Sequence, residues 1–208
     1  MQHGHTVLTR GSTALASAAS TSASYTSTSV RQAQTVSDAH CVKPTIVLVH
    51  GAFADSTSWS NEITVLESRG YPVLAVANPL RGVASDSAYL LSVLGTVSGP
   101  IVLVGHPYAG FLIIDAAAAD PEVKALVYVA AYIPNKGENP ADLTYKFPGS
   151  QLPGGNLITR AEPGGTDIYI NSADFASVYA GGLSKEQAAP AATVQRPITA
   201  PALGSRRP

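Results

Sequence analysis

The chain has 208 residues, a formal charge of −1 and 45% hydrophobic residues, which is enough for one α/β domain with its own core. The near-zero charge argues against nucleic acid or an anionic membrane surface as the main partner. The single cysteine, Cys41, excludes an intrachain disulfide and a cysteine-based metal cluster, and no run reaches the roughly 18 to 20 apolar residues of a transmembrane helix.

Residues 1–42 are rich in Ser, Thr and Ala and show no sustained helical or strand periodicity, so we interpret them as a disordered leader. Arg10 offers the basic start of a secretory signal, which also needs an apolar core of about 7 to 15 residues. Ser and Thr interrupt every apolar run after Arg10. A degenerate export signal stays open as an alternative, and the sequence does not determine the localisation.

From Lys43 to about Ala131, aliphatic runs alternate with longer amphipathic or alanine-rich segments. Continuous aliphatic runs are typical of strands buried on both faces of a parallel sheet. Right-handed crossovers then place helices on both faces of that sheet. The pattern predicts strands at 45–49, 73–77, 101–104 and 125–129, and helices at 58–69, 85–94 and 108–119.

The alternation ends after Tyr132. Residues 134–165 are dense in Pro and Gly and carry no strand signal, whereas 174–179 and 184–192 are candidates for short helices. The segment 197–208 has three prolines and a basic Arg206-Arg207, and we expect it to be unfolded.

One motif organises the chain. The aliphatic strand 101–104 leads directly into Gly105-His106-Pro107-Tyr108-Ala109, and a long apolar helix follows. A strand, a tight turn and a helix are the setting of the nucleophile elbow, whose signature is Gly-x-Ser-x-Gly. Here Pro107 stands at the serine position and Ala109 at the second glycine.

A second motif, Val47-Leu48-Val49-His50-Gly51-Ala52-Phe53, ends the first predicted strand. With both motifs in this order and spacing, and with Val127 to Ala131 followed by Pro134, residues 43–138 resemble the α/β-hydrolase superfamily. The resemblance is to its small esterase-like members, which are related to plant methyl esterases and hydroxynitrile lyases. Residues 167–198 resemble part of the family's helical lid more weakly.

The resemblance implies a partial α/β-hydrolase fold, incomplete at the C-terminus, and an ester or acyl hydrolase that uses no cofactor. It predicts one domain in which a disordered leader precedes a sheet core, a lid-like region and a disordered tail, at 1–42, 43–135, 136–196 and 197–208.

The resemblance also implies an oxyanion hole, because fixed amide donors stabilise the negative oxygen of the tetrahedral intermediate. By position these donors are the backbone amides of Ala52, or its neighbour Phe53, and Tyr108. The alternative is that His50-Gly51 only ends a strand.

Pro107 has no hydroxyl, thiol or amide hydrogen, and its ring fixes φ near −65°. An elbow residue normally adopts a strained, positive φ. Proline suits the first turn of a helix. We therefore interpret Pro107 as the relaxed start of a helix, without a catalytic role.

The catalytic partners are missing as well, because the family order is Ser, then Asp or Glu, then His. All histidines of this chain precede position 107; they are His3, His5, His40, His50 and His106. We interpret Asp115, Asp120 and Glu122 as surface or helix-end charges. The sequence ends where the family would continue with strands that carry the acid and the histidine, so we expect an interrupted hydrolase that is inactive.

Other sites have weaker support. The standard glycine-rich nucleotide loops are absent, and no metal site is predicted because His3 and His5 lie in a tail without fixed geometry. Helix capping explains Ser56, Ser58 and Ser60 better than nucleophilicity does.

Three functions stay open: an inactive ester hydrolase, a non-catalytic module that binds a small apolar ester-like ligand between the Ala52 turn, Tyr108 and the lid, and a non-functional truncated fragment. In each case the strand 125–129 is expected to be an apolar edge that favours self-association.

Overall fold

A parallel sheet of four strands lies at the centre of the computed structural model, which describes residues 42–152 and 155–208. The predicted leader, apart from Val42, lies outside these residues. The strands are β1 (Thr45–Val49), β2 (Val73–Val76), β3 (Ile101–Gly105) and β4 (Val123–Tyr128), in the order β2-β1-β3-β4. All three pairings are parallel, which confirms the predicted sheet.

Three helices connect these strands: α1 (Ser60–Ser68), α2 (Val83–Leu94) and α3 (Ala109–Ala119). The first predicted helix begins differently, because a separate 3-10 helix, Ser56–Trp59, precedes α1. The carboxylate of Asp55 caps this 3-10 helix by accepting the Thr57 amide at 2.9 Å.

The sheet buries both of its faces, as expected for a parallel sheet. Ile46 and Leu48 of β1 pack with Trp59 and with residues of α1 on one face. Val47 and Val49 alternate with them and belong to the larger core formed with α2 and α3 on the other face. The prediction of helices on both faces is confirmed.

A second sheet was not expected. Strand β5 (Leu157–Glu162) pairs antiparallel with β6 (Gly165–Ile170), and β6 pairs with the short β7 (Ile198–Thr199). The prediction that 134–165 lacks strands was wrong. Four of the six residues of β5 are exposed, so its sequence carries no apolar alternation, and pairing with β6 stabilises it instead.

The lid-like region also contains the short helices α4 (Pro140–Tyr145), α5 (Phe175–Val178) and α6 (Lys185–Thr193). Helices α5 and α6 fall where short helices were predicted. Helix α4 was not predicted; Asn139 caps it by accepting the Asp142 amide at 2.8 Å.

The segment 197–208, expected to be unfolded, contains β7 and helix α7 (Ala200–Gly204). This expectation was wrong for a tertiary reason: Ile198 and Ala202 are fully buried in the main core. Pro201 fits because proline is well tolerated in the first turn of a helix. Beyond α7, Arg207 contacts Asp115 of α3 through a 2.7 Å ion pair.

Strand β4 has β3 as its partner on one side and lies at the edge of the sheet among the strands that the structure describes. Its Val127 side chain is 43% exposed, and Val129, just after the strand, is 39% exposed. In the described ranges, no helix has the length and apolarity needed to cross a membrane.

Candidate functional site

Two turns meet at the carboxyl ends of β1 and β3. The first turn is His50 to Phe53 and the second is His106 to Tyr108. A Cβ atom at Gly51 would lie 2.5 Å from Pro107 Cδ and 2.6 Å from the His106 carbonyl oxygen. Glycine at position 51 therefore allows the two turns to touch, and the structure brings the sequence-predicted site residues together.

The second turn passes from β3 to α3 without left-handed backbone. The described residues other than glycine that have positive φ are Phe53, Leu80 and Ala130, so Pro107 is not among them. Tyr108 has helical φ and ψ of −59° and −33°, and the Ala109 amide donates to the His106 carbonyl at 3.0 Å. The segment has the geometry of a relaxed helix start.

Gly105 allows α3 to approach the end of β3. A Cβ there would lie 2.9 Å from Ile113 Cδ1 and 3.2 Å from the carbonyl carbon of Ala109. Ala109 is itself fully buried. Both residues of the motif are thus explained by close packing between β3 and α3.

His50 holds the first turn in place from a fully buried position. Its Nε2 accepts the Asn78 amide at 3.0 Å, so Nδ1 carries the hydrogen and donates to the Gly51 carbonyl at 2.9 Å. Desolvation by burial lowers the pKa of His50, more than the Gly51 bond raises it. The ring is neutral and both of its nitrogens are engaged.

The candidate oxyanion amides differ in their hydrogen bonds. The Phe53 amide donates to the Arg196 carbonyl at 3.0 Å, and Phe53 has a φ of 62°. Within the described ranges the amides of Ala52 and Tyr108 have no hydrogen-bond acceptor. Of the three candidate amides, that of Phe53 is therefore the one already engaged.

A buried carboxylate behind Tyr108 was missed in the sequence. The Tyr108 hydroxyl donates to Asp86 Oδ2 at 2.8 Å, and Asp86 also accepts the amides of Arg81 and Gly82 at 3.0 and 3.2 Å. Burial, and then the charge of Asp86, raise the pKa of Tyr108 above its ordinary value. The available signal was an acidic residue among the buried positions of α2, beside Val83 and Leu90.

His106 lies between two aromatic rings. Its ring centroid is 6.2 Å from that of Trp59 and 6.0 Å from that of Tyr179, both in edge-to-face geometry. Burial, followed by the nearby His50, lowers the pKa of His106 to about 4. His106 is thus a neutral, weak base at pH 7.

Two cavities adjoin the turns. The elbow pocket has a volume of 60 Å³, and the outer cleft has a volume of 590 Å³. Phe53 and Tyr179 line both, and their rings meet edge to face at 6.1 Å. The elbow pocket is lined by Ala52, Phe53, Pro107, Tyr108, Tyr132, Pro140, Thr144, Leu152, Tyr179, Ile198 and Leu203. The outer cleft is lined by Phe53–Asp55, Thr57, Ser58, Phe175, Tyr179, Ala180, Gly182, Leu183, Pro190, Ala191 and Val194.

The serines near the first turn form local hydrogen bonds. The Ser58 hydroxyl donates to the Asp55 carbonyl at 2.7 Å, and that of Ser60 donates to the Thr57 carbonyl at 2.7 Å. Ser56 donates to the Val76 carbonyl at 3.2 Å. In the part of the chain that the structure describes, no three His, Cys, Asp or Glu side chains group as metal ligands.

A model of the alpha/beta hydrolase family matches residues 46–208, which include both turns, the parallel sheet and the lid-like region. The chain belongs to the alpha/beta hydrolase family. This alpha/beta hydrolase is 27% identical over 140 residues to Methylesterase 2 of Arabidopsis thaliana, covering 60% of the chain and 53% of the relative. It is also 27% identical over 106 residues to the carbendazim hydrolyzing esterase of Nocardioides sp. (strain SG-4G), covering 45% and 44%. The chain thus spans about half the length of the curated relatives it matches.

Solved structures support the same alpha/beta hydrolase fold. The crystal structure of polyneuridine aldehyde esterase superposes with a TM-score of 0.64 at 21% identity, covering 76% of this chain and 69% of that one. The T18A mutant of tomato Methylketone Synthase I also gives 0.64, at 22% identity and with the same coverage. This alpha/beta hydrolase therefore contains part of the fold seen in those chains.

Proposed function

We propose that this chain is an esterase-type member of the alpha/beta hydrolase family that does not turn over esters in its present form. The observation that carries the proposal is Pro107, which occupies the turn between β3 and α3 where the family motif has its serine. Proline offers no atom that can attack an ester carbonyl. The esterase names of both curated relatives support the substrate class.

The histidines near the turn do not replace a catalytic base. Both ring nitrogens of His50 are engaged, and the pKa of His106, at about 4, makes it a weak base at pH 7. The 208-residue sequence has no histidine after His106. We assign the oxyanion-hole role to the amides of Ala52 and Tyr108, since Phe53 donates to Arg196.

The test is hydrolysis of 4-nitrophenyl acetate by the unmodified chain, Pro107→Ser and the matched control Pro107→Ala. We expect no turnover above background from any of them, because serine restores the nucleophile without a base. Oxyanion stabilisation and binding alone leave only about 10³- to 10⁴-fold over water. Turnover by the unmodified chain or by Pro107→Ser that a serine-directed inhibitor abolishes would overturn the proposal.

A second candidate function, binding without turnover, is favoured by the 590 Å³ outer cleft, a volume typical of small-molecule sites. We propose that this hydrolase scaffold binds a small, apolar, ester-like ligand. Its test is a titration with phenyl acetate, with saturable binding expected. Linear, non-saturating uptake would count against it.

We also propose that chains associate through the edge of β4, where Val127 and Val129 are exposed beside a strand edge that has no partner among the strands that the structure describes. Light scattering on size-exclusion fractions should show dimers that Val127→Lys converts to monomers. The control Val65→Lys introduces the same charge at a similarly exposed valine of α1 and should leave the dimers intact. A monomer at high concentration for the unmodified chain would contradict this proposal.

A further inference from the structure

The ligand position expected from the family motif, the cleft between the Ala52 turn, Tyr108 and the lid, corresponds to the elbow pocket. Its 60 Å³ hold about two water molecules, and Pro107 and Tyr108 form part of its wall. A molecule the size of an aromatic ester does not fit there. The outer cleft is nearly ten times larger and shares Phe53 and Tyr179 with the elbow pocket.

We propose that the outer cleft is the site of this apolar ligand binding, and that it prefers ligands that also carry a hydroxyl or amino group and no carboxylate. This inference rests on the proposed binding function and deepens it by naming the site and the ligand class. It does not depend on ester turnover, because the outer cleft has no contact with Pro107 among its lining residues.

The walls of the outer cleft are mostly apolar and therefore favour a ligand with an apolar surface. They come from the first turn, from helix α5 and the loop after it, and from helix α6, and the larger apolar side chains are Phe53, Phe175, Leu183, Pro190 and Val194. Removing apolar surface from water is the main driving force for binding in such a site. The 590 Å³ volume accommodates a fused bicyclic ring with room to spare.

The polar side of the cleft offers acceptors rather than donors. Asp55 Oδ1 accepts both the amide and the hydroxyl of Thr57, at 2.9 and 2.5 Å, and the Ser58 hydroxyl donates to the Asp55 carbonyl. Both hydroxyl hydrogens are therefore already used. What remains is Asp55 Oδ2, which has no hydrogen-bond donor within the described ranges, and the hydroxyl lone pairs.

The Asp55 carboxyl group also favours a ligand that donates a hydrogen bond over one that carries a carboxylate. Asp55 carries the single carboxyl group among the residues lining the outer cleft, and no Lys, Arg or His lines it. A ligand hydroxyl or amine can donate to its carboxylate in a charge-assisted hydrogen bond. A ligand carboxylate would instead be repelled by it.

The experiment is calorimetric titration of the full chain at pH 7 with 1-naphthol, 1-naphthylamine and 1-naphthoate, which share one ring system. We expect saturable binding of 1-naphthol and 1-naphthylamine, and binding of 1-naphthoate that is weaker by about tenfold or more. Asp55→Asn keeps an acceptor oxygen for the Thr57 amide but removes the charge. It should therefore reduce the discrimination against 1-naphthoate to about threefold or less.

Gly182→Phe locates the site. Gly182 lines the cleft, a Cβ there meets no heavy atom within 4 Å, and its backbone conformation accepts other residues, so a phenyl ring can be introduced at this lining position without a clash. We expect 1-naphthol binding to weaken by about tenfold or more. Gly204→Phe is the matched control, because Gly204 is equally open but lies outside the cleft, and it should bind as the unmodified chain does.

Melting temperatures of all variants verify folding. If Gly182→Phe does not fold, Leu183→Asn replaces it, because Leu183 lines the cleft, is 49% exposed and therefore tolerates a polar group.

Binding of 1-naphthol that neither variant weakens would overturn the assignment of the cleft and leave the proposed binding function standing. Failure of both 1-naphthol and 1-naphthylamine to bind, or preferential binding of 1-naphthoate, would overturn the ligand class, whereas phenyl acetate binding tests the proposed function separately.

Discussion

The Nε2 atom of His50 accepts the backbone amide of Asn78 at 3.0 Å, and the Asn78 side-chain amide donates back to the His50 carbonyl at 3.0 Å. Asn78 lies just after β2, so this reciprocal pair joins the carboxyl ends of β1 and β2. The histidine of the His-Gly motif is thus a positioning residue: it fixes the turn that contains Gly51 and Ala52.

Replacing His50 should therefore cost stability. His50→Ala leaves the Asn78 amide and the Gly51 carbonyl without their partners and opens a cavity at a fully buried position. We expect the free energy of unfolding to fall by about 2–4 kcal/mol, measured by urea denaturation at pH 7.5. The control Tyr89→Ala, at a position 41% exposed, should cost about 1 kcal/mol or less. Equal effects of the two variants would contradict the positioning role.

His106 predicts a pH dependence of stability. Its pKa is about 4 in the folded chain and about 6.5 when unfolded, so the unfolded state binds more protons between these values. The free energy of unfolding should fall as the pH drops from 6.5 to 4, by up to about 3 kcal/mol, and should be fully present above pH 6.5. His50, whose pKa is also lowered, adds to the same trend.

Urea denaturation at half-unit pH steps measures this dependence. His106→Gln should flatten the profile between pH 4 and 6.5, because it removes the titrating group while keeping a polar side chain. A profile as steep in His106→Gln as in the unmodified chain would assign the effect to other groups.

Gly110 tests two opposing effects on α3. Alanine raises helix propensity by about 1 kcal/mol over glycine, but a Cβ at Gly110 would lie 1.9 Å from the Tyr132 carbonyl oxygen. Because that oxygen belongs to backbone, it cannot turn aside, and we expect Gly110→Ala to destabilise by about 2 kcal/mol or more. Gly95→Ala is the control, since its Cβ has only ordinary contacts at 3.6 Å and longer. Thermal denaturation should place Gly95→Ala at or above the unmodified chain, and a melting temperature of Gly110→Ala that matches it would refute the packing argument.

The ion pair between Arg207 and Asp115 should stabilise the C-terminal segment. Its side chains are only 19% and 16% exposed, and Arg207 also donates to the Pro134 carbonyl at 3.2 Å. Arg207→Ala should cost about 1–3 kcal/mol, because Asp115 is left without its partner in a largely buried position. Lys124→Ala removes an exposed ion pair with Glu122 at 3.7 Å and should change stability by about 0.5 kcal/mol at most. Chemical denaturation of both variants distinguishes these outcomes, and equal losses would show that burial of the Arg207 pair is unimportant.

The amino-acid sequence by itself determined the parallel sheet and the position of its turns. The runs Thr45–Val49 and Ile101–Gly105 are long, aliphatic and bounded by turn residues, so local preference and burial favour the same structure. The motif at Gly105 to Ala109 was equally readable, because it lies within one continuous strand, turn and helix.

Only the tertiary structure decided the rest. The segment 197–208 has poor local preferences, yet it is ordered because distant partners bury Ile198 and pair Arg207 with Asp115. The Tyr108–Asp86 hydrogen bond and the edge-to-face contact between Phe53 and Tyr179 likewise join residues far apart in the chain. Their energies come from contacts formed only after the chain has folded, and no local pattern in the sequence encodes such contacts.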